Sequence, residues 1–163
     1  MGGAYLPDEE ESMIRLRVKK KSRYTTTPRY ATEGAAGLDL CADKICVLQP
    51  GQILRVPTGI HAEIPDGYEG QVRPRSGLAS QGIVAILGTI DSDYRGEIHV
   101  ILENRRREPF VVYPGDRIAQ LVIAPVARVG VDVVEDLSET ARGEGGFGST
   151  GSTWSDSPLV GEE

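Results

Sequence analysis

The sequence predicts an all-β fold, on three observations. Short runs rich in Val, Ile and Leu recur along the chain, turn sequences separate them, and sustained helical periodicity is scarce. Strands spaced by turn signals at roughly 8–12 residues point to a barrel or a jelly-roll-like sandwich. The 163 residues suit one domain, since a chain of this size buries roughly 70% of its unfolded surface.

Residues 1–13 read as a flexible lead, and the DEEE at 8–11 stands where a secretory signal would carry its apolar run. In IRLRVKK, residues 14–20, Ile14, Leu16 and Val18 alternate with Arg15, Arg17 and Lys19, the pattern of a strand with one wet face. The basic block Lys19–Lys21 with Arg23 is either a solvated strand end or a targeting or nucleic-acid patch. QPGQ at 49–52, PDGY at 65–68 and YPGD at 113–116 are turn sequences. Between and around them lie the strand candidates ILRVPTGIHAEI, EGQVRP, GEIHVILEN, PFVVY and RIAQLVIAPV. SGLAS, residues 76–80, is the best helix candidate. Character changes at Arg142, after which Gly, Ser and acidic residues dominate, and residues 152–163 read as disordered.

Composition excludes several classes. The aliphatic content, within 39% hydrophobic residues, is too high for a disordered chain, and the 20 glycines show no collagen period. With 18 Lys+Arg against 24 Asp+Glu the net charge is −6, which argues against a general nucleic-acid binder. No run reaches the ~18–20 apolar residues of a membrane span. Cys41 and Cys46 do not make a disulfide framework, and with His61 and His99 they do not show zinc-ligand spacing. Both cysteines read as buried small residues or partly exposed thiols. A soluble, intracellular protein is expected.

Several segments carry polar groups that folding alone does not need. In RPRSGLAS, residues 73–80, Arg75 and Ser76 precede Gly77. They make either a phosphate seat at a short helix start or a loop capped by Ser76. In GTIDSDYRGEI, residues 88–98, Asp91 and Asp93 point the same way if the chain is extended. A carboxylate there suits a general base for phosphoanhydride hydrolysis, against the alternative of a polar hairpin. In GDRIAQLVI, residues 115–123, Gln120 interrupts an apolar run, so its amide bonds to backbone or reaches a site. In AAGLDLCA, residues 35–42, Asp39 between Leu38 and Leu40 faces away from the core or into a polar cavity, where it could hold a hydrated Mg²⁺. RGEGGFGSTG, residues 142–151, sets one arginine and one phenylalanine among five glycines, as an anion-closing lid would.

These five segments, in this order, resemble the five motifs of the trimeric deoxyuridine triphosphate nucleotidohydrolases (dUTPases), and the resemblance spans residues 14–151. It implies a distorted jelly-roll β-barrel over 14–141, a lid at 142–151, and a homotrimer whose active sites each draw on all three chains. It implies Mg²⁺-dependent hydrolysis of dUTP to dUMP and pyrophosphate, which limits uracil in DNA and supplies dUMP for thymidylate. Asp91 resembles the carboxylate that activates the attacking water. Tyr94 resembles the ring beneath the deoxyribose. Arg75, Ser76 and Gly77 resemble the phosphate motif, and Asp39 and Gln120 the groups that hold water molecules on Mg²⁺. Arg142 resembles the phosphate arginine, Phe147 the ring stacked on uracil, and Gly148, Ser149 and Thr150 the terminal-phosphate contacts. Asp93 matches an acidic position with a structural role. The partners implied are dUTP and two further copies of the chain, with no stable nucleic-acid or membrane binding. A cytoplasmic location is implied, or a nuclear one for a eukaryotic or viral chain.

The chain departs from many cellular members in the short connection SQGIVAILG, residues 80–88, with Ala85 where an asparagine would stand. Uracil reading then falls to main-chain atoms. The alternatives are a dCTP deaminase or bifunctional deaminase–dUTPase of the same superfamily, or a regulatory binding protein on the same fold. Deamination calls for a glutamate at the base edge, where the matched segment supplies Asp91 and Tyr94.

Overall fold

The computed structural model describes residues 14–146. The elements run β1 (Arg17–Lys20), β2 (Arg29–Tyr30), β3 (Leu38–Cys41), β4 (Cys46–Leu48), β5 (Ile53–Glu63), β6 (Tyr68–Arg73), α1 (Ser76–Ala79), β7 (Ile83–Ala85), β8 (Gly88–Ile90), β9 (Glu97–Asn104), β10 (Phe110–Val112) and β11 (Arg117–Pro125). Strands β1-β5-β9-β7 form one sheet, β2-β3-β11-β6-β8 a second, and β10-β4 a ribbon. The all-β expectation holds, and SGLAS supplies the single short helix among the described residues.

Periodicity two explains the core. Along β9 every second side chain is buried, which places Ile98, Val100, Leu102 and Asn104 inside. Ile98, Val100 and Leu102 join Leu40, Val72 and Leu121 of the five-stranded sheet in one apolar cluster, with Leu48 and Val112 added by the ribbon. Each such side chain contributes about 1.5–3 kcal/mol by leaving water. Asn104 is tolerated at 0% exposure because its amide donates to the Leu48 and Glu108 carbonyls, both at 2.9 Å, while its oxygen accepts the Arg106 N–H.

The turn sequences act as read. In PDGY the Tyr68 N–H donates to the Pro65 carbonyl, and Gly67 adopts φ 80°, a conformation that favours glycine. In YPGD the Asp116 N–H donates to the Tyr113 carbonyl, and the Asp116 carboxylate accepts the Tyr113 N–H. One expectation fails at β1, whose four residues are all exposed. It is an edge strand paired only with β5, so its inward residues, Val18 opposite Ala62 and Lys20 opposite Ile60, sit at the rim of the sheet.

One unit of the chain runs to Arg128 and a second begins at Val129. Residues 129–146 hold neither strand nor helix, and Val129, Val131, Val133, Val134 and Leu137 are exposed. No helix among the described residues is long and apolar enough to cross a membrane. The expected lead, residues 1–13, and the expected tail, 152–163, lie outside the described residues.

Candidate active site

Asp39 lies on β3 between Leu38 and Leu40, on the face opposite the core, yet it is only 5% exposed. Two guanidinium groups cover it. Arg75 Nε approaches its Oδ1 at 3.2 Å, and Arg117 Nη1 donates to its Oδ2 at 3.1 Å. The Oδ1 contact is one of charge alone, since no donor is aligned with that oxygen for a hydrogen bond. Arg75 is fixed a second time, because its Nη1 donates to the Arg117 carbonyl at 3.0 Å. The polar-cavity reading of Asp39 is therefore the observed one.

Antiparallel register brings the next residue in. Gln120 on β11 faces Asp39 on β3 and Arg73 on β6, so the three form a row across neighbouring strands on the sheet's outer face. Gln120 is half-buried. The chain leaves β6 through Pro74 into α1, where Arg75 rather than Ser76 holds the N-cap position and no side chain caps the helix. The Ser76 capping alternative is thereby corrected: Arg75 is still extended, at φ −94° and ψ 128°, so Ser76 is already helical. Ser76 and Gly77 are exposed, and a Cβ at Gly77 would meet nothing within 4 Å. Arg75, Gly77 and Arg117 line one concavity of about 350 Å³.

Asp91 follows the end of β8 and lines a different concavity, with Asp93, Glu69 and Arg128. Of the two readings left open for Asp91 and Asp93, an extended run and a polar hairpin, the extended one is not observed. Asp91–Tyr94 form a turn closed by the Tyr94 N–H on the Asp91 carbonyl at 3.1 Å, and the two aspartates reach one concavity through that turn. Tyr94 is 43% exposed and its hydroxyl donates to the Glu97 carbonyl. Ala85, the position of the absent asparagine, is 4% exposed within β7 and faces Leu102. A side chain there points into the core, and the β7–β8 connection is left to the exposed Ile86 and Leu87.

Burial pushes the Cys41 thiol up, with the Asp39 charge adding to it, so this thiol is a poor nucleophile. Among the described residues no three His, Cys, Asp or Glu side chains converge as a metal site. A magnesium ion bound mainly through water and substrate phosphates needs no such cage. The buried Asp39 carboxylate, with Gln120 beside it, fits that mode of binding.

In the second unit Arg142 is exposed, and its Nε donates to the Gly145 carbonyl at 2.7 Å. Phe147, Gly148, Ser149 and Thr150 lie outside the described residues. Arg117 has no role among the residues singled out by sequence. Its signal was an arginine just before the apolar run Ile118–Ala119 in the same short segment as Gln120.

A family model described as dUTPase matches residues 23–151. The chain is 57% identical over 138 residues to a deoxyuridine 5'-triphosphate nucleotidohydrolase of Anaeromyxobacter sp. (strain Fw109-5), covering 83% of this chain and 94% of that relative. Among solved structures, a Staphylococcus bacteriophage 80alpha dUTPase mutant with dUpNHpp superposes with a TM-score of 0.81 at 28% identity, covering 86% of this chain and all of that one. A mutant dUTPase from phage phi11 of S. aureus, described with a structural Mg(II) ion, gives a TM-score of 0.71 at 26% identity, covering 75% and 97% of the two chains. The family match over most of the chain and the high identity to a curated member, on top of the five segments and the fold, lead to one conclusion: the chain belongs to the dUTPase family.

Proposed function

We propose that this chain hydrolyses dUTP to dUMP and pyrophosphate with Mg²⁺, as a trimer with shared sites. The observation that carries the reading is the pair of arginines around Asp39, a local excess of positive charge in a chain of net charge −6. A small polyphosphate needs such a seat, and a nucleic-acid strand would need a wider one. The activity would belong to the cytoplasm, beside the deoxynucleotide pool.

Asp91 takes a proton from the water that attacks the α-phosphorus, and pyrophosphate leaves. Arg75 and Arg142 stabilise charge on the phosphates, and Ser76 and Gly77 offer donors on an open surface. Tyr94 packs beneath the deoxyribose. Phe147 stacks on uracil, Gly148, Ser149 and Thr150 meet the terminal phosphate, and main-chain groups near Ile86 and Leu87 read the base edge. Mg²⁺, when bound, would be held by Asp39 and Gln120 through water and would supply neutralisation of phosphate charge.

Sheet geometry supports the shared site. Asp39 is on β3, and Asp91 follows β8, three strands away and about four residues further along. At ideal spacings that is roughly 14 Å across and 13 Å along, near 19 Å in all. A general base must lie within hydrogen-bond reach, about 3 Å, of the group it deprotonates, and Arg75 sits against Asp39, so the Asp91 and the Arg75 of one chain belong to different active sites. A second copy brings the complementary half. The exposed aliphatics at 129–137 are a surface for another copy to cover, and closure of the sheets into a jelly-roll barrel is part of the same reading.

The test is ion-chromatographic detection of pyrophosphate from a panel of deoxynucleoside triphosphates with Mg²⁺. Release from dUTP alone is expected. Ammonia from dCTP would replace this reading with deamination, and no product from any of them would leave a binding protein.

A further inference from the structure

We propose that Asp39 and Arg117 are positioning residues for Arg75, which they hold in its phosphate-binding orientation before any nucleotide or metal arrives. The inference rests on the reading of Arg75 as a phosphate ligand and deepens it.

The geometry is over-determined for a free surface arginine. Arg75 is hydrogen-bonded at Nη1 to the Arg117 carbonyl, and the Asp39 charge lies 3.2 Å from its Nε without an aligned hydrogen bond. Its side chain keeps 25% of its exposure, and Nη2 remains for a ligand. A guanidinium is planar, so a hydrogen bond at Nη1 and a carboxylate charge beside Nε together restrict the direction of Nη2. The long arginine side chain otherwise loses rotamer freedom when it is ordered by a substrate. Here that ordering is built into the protein, which is the physical meaning of preorganisation.

Arg117 reaches this place through a backbone irregularity. The β11–β3 register shifts between Arg117 and Ala119, and Ile118 and Ala119 are buried in succession. A bulge of this kind re-aims the side chain before it. It lets Arg117 pair with Cys41 in the ladder while its guanidinium turns to Asp39. One carboxylate between two guanidiniums leaves one net positive charge, which suits an anion, and Asp39 is covered by both neighbours. On this account, the primary work of Asp39 is done on Arg75, with any water held for the metal added to it.

The two roles separate experimentally. Full-length wild type, Asp39→Asn, Arg117→Ala and Arg117→Lys are compared for binding of a non-hydrolysable dUTP analogue by calorimetry, in EDTA and again with Mg²⁺. The Arg75 Nε–Hε resonance, assigned by its loss in Arg75→Lys, is followed without nucleotide. Arg117 is half-exposed, at 52% of its side chain, so its variants are expected to fold, and size-exclusion chromatography checks the assembly. Asp39→Asn and Arg117→Ala are expected to shift or broaden the Arg75 resonance and to weaken metal-free binding roughly 10-fold, the loss of about one charge-assisted hydrogen bond's orientation. Arg117→Lys restores part of it, and the Mg²⁺ concentration for half-maximal turnover stays unchanged in both Arg117 variants. An unchanged resonance, or wild-type metal-free affinity in Arg117→Ala, overturns the proposal. So does an Asp39→Asn variant altered only in its Mg²⁺ requirement. Failure of the dUTP reading itself would show as wild type that neither binds nor hydrolyses the nucleotide, while the resonance still reports on Arg75.

Discussion

The Tyr94 hydroxyl donates a hydrogen bond to the Glu97 carbonyl at 3.0 Å, which folds the ring back over Gly96. A Cβ built at Gly96 would fall within the tyrosine ring and hydroxyl. Gly96 is thus the space in which Tyr94 lies. Gly96→Ala should displace the ring while the buried β9 residues that follow keep the fold. If Tyr94 packs beneath the deoxyribose, the preference for dUTP over UTP should drop roughly 10-fold. Comparison of kcat/KM for the two nucleotides checks this, and unchanged selectivity with unchanged Tyr94 packing would count against it.

Asp91→Asn should fold and assemble as wild type but turn over dUTP at least ~100-fold more slowly, since a neutral amide cannot take the proton. Asp91 is exposed at the end of an edge strand, so the core does not depend on it. Light scattering should give three times the protomer mass for both proteins. Near-normal kcat in the variant would remove Asp91 from the mechanism.

Glu97 should make stability depend on acid pH. Its side chain is 16% exposed, its Oε1 accepts the Gly59 N–H at 2.9 Å, and Lys21 lies 3.6 Å from its other oxygen. Burial alone would raise its pKa, but the Gly59 N–H and the Lys21 charge outweigh burial and hold it below the usual carboxylate range. The folded state therefore binds this proton at lower pH than the unfolded state. The stability it contributes is full above the ordinary carboxylate pKa and is lost as pH falls through the depressed folded value. Glu97→Gln should cost about 1–2 kcal/mol near neutrality, with the gap to wild type closing in acid. Urea unfolding across a pH series measures it, and a pH-independent gap would exclude the linkage.

Truncation after Thr140 should leave a stable trimer with little activity, because Arg142 and Phe147 are removed while the cluster around Leu102 is untouched. Phe147→Ala should weaken nucleotide binding by about 1–3 kcal/mol, the worth of a base–aromatic stack. Full activity in the truncated protein would show that residues 141–163 are not a lid.

The local structure of this protein is legible in short runs of residues. The alternation in β9, the turns at Pro65–Tyr68 and Tyr113–Asp116, the helix at Ser76 and the five motif segments are all written in neighbouring residues, because strand periodicity and turn chemistry act over a few positions. The motif segments also made the family legible before any fold was seen. Which of these segments meet depends on pairing between distant strands. Arg117 lies 78 residues from Asp39 and 42 from Arg75, and their contacts depend on the β11–β3 register and the shift within it. Alternation could say that Asp39 leaves the core face, but not that two arginines would bury it again. The exposure of β1 on both faces was misread, and the choice between an extended run and a hairpin at Asp91 stayed open, for the same reason. Edge position and strand ends are set by which strands pair, and pairing is a property of residues far apart in the chain.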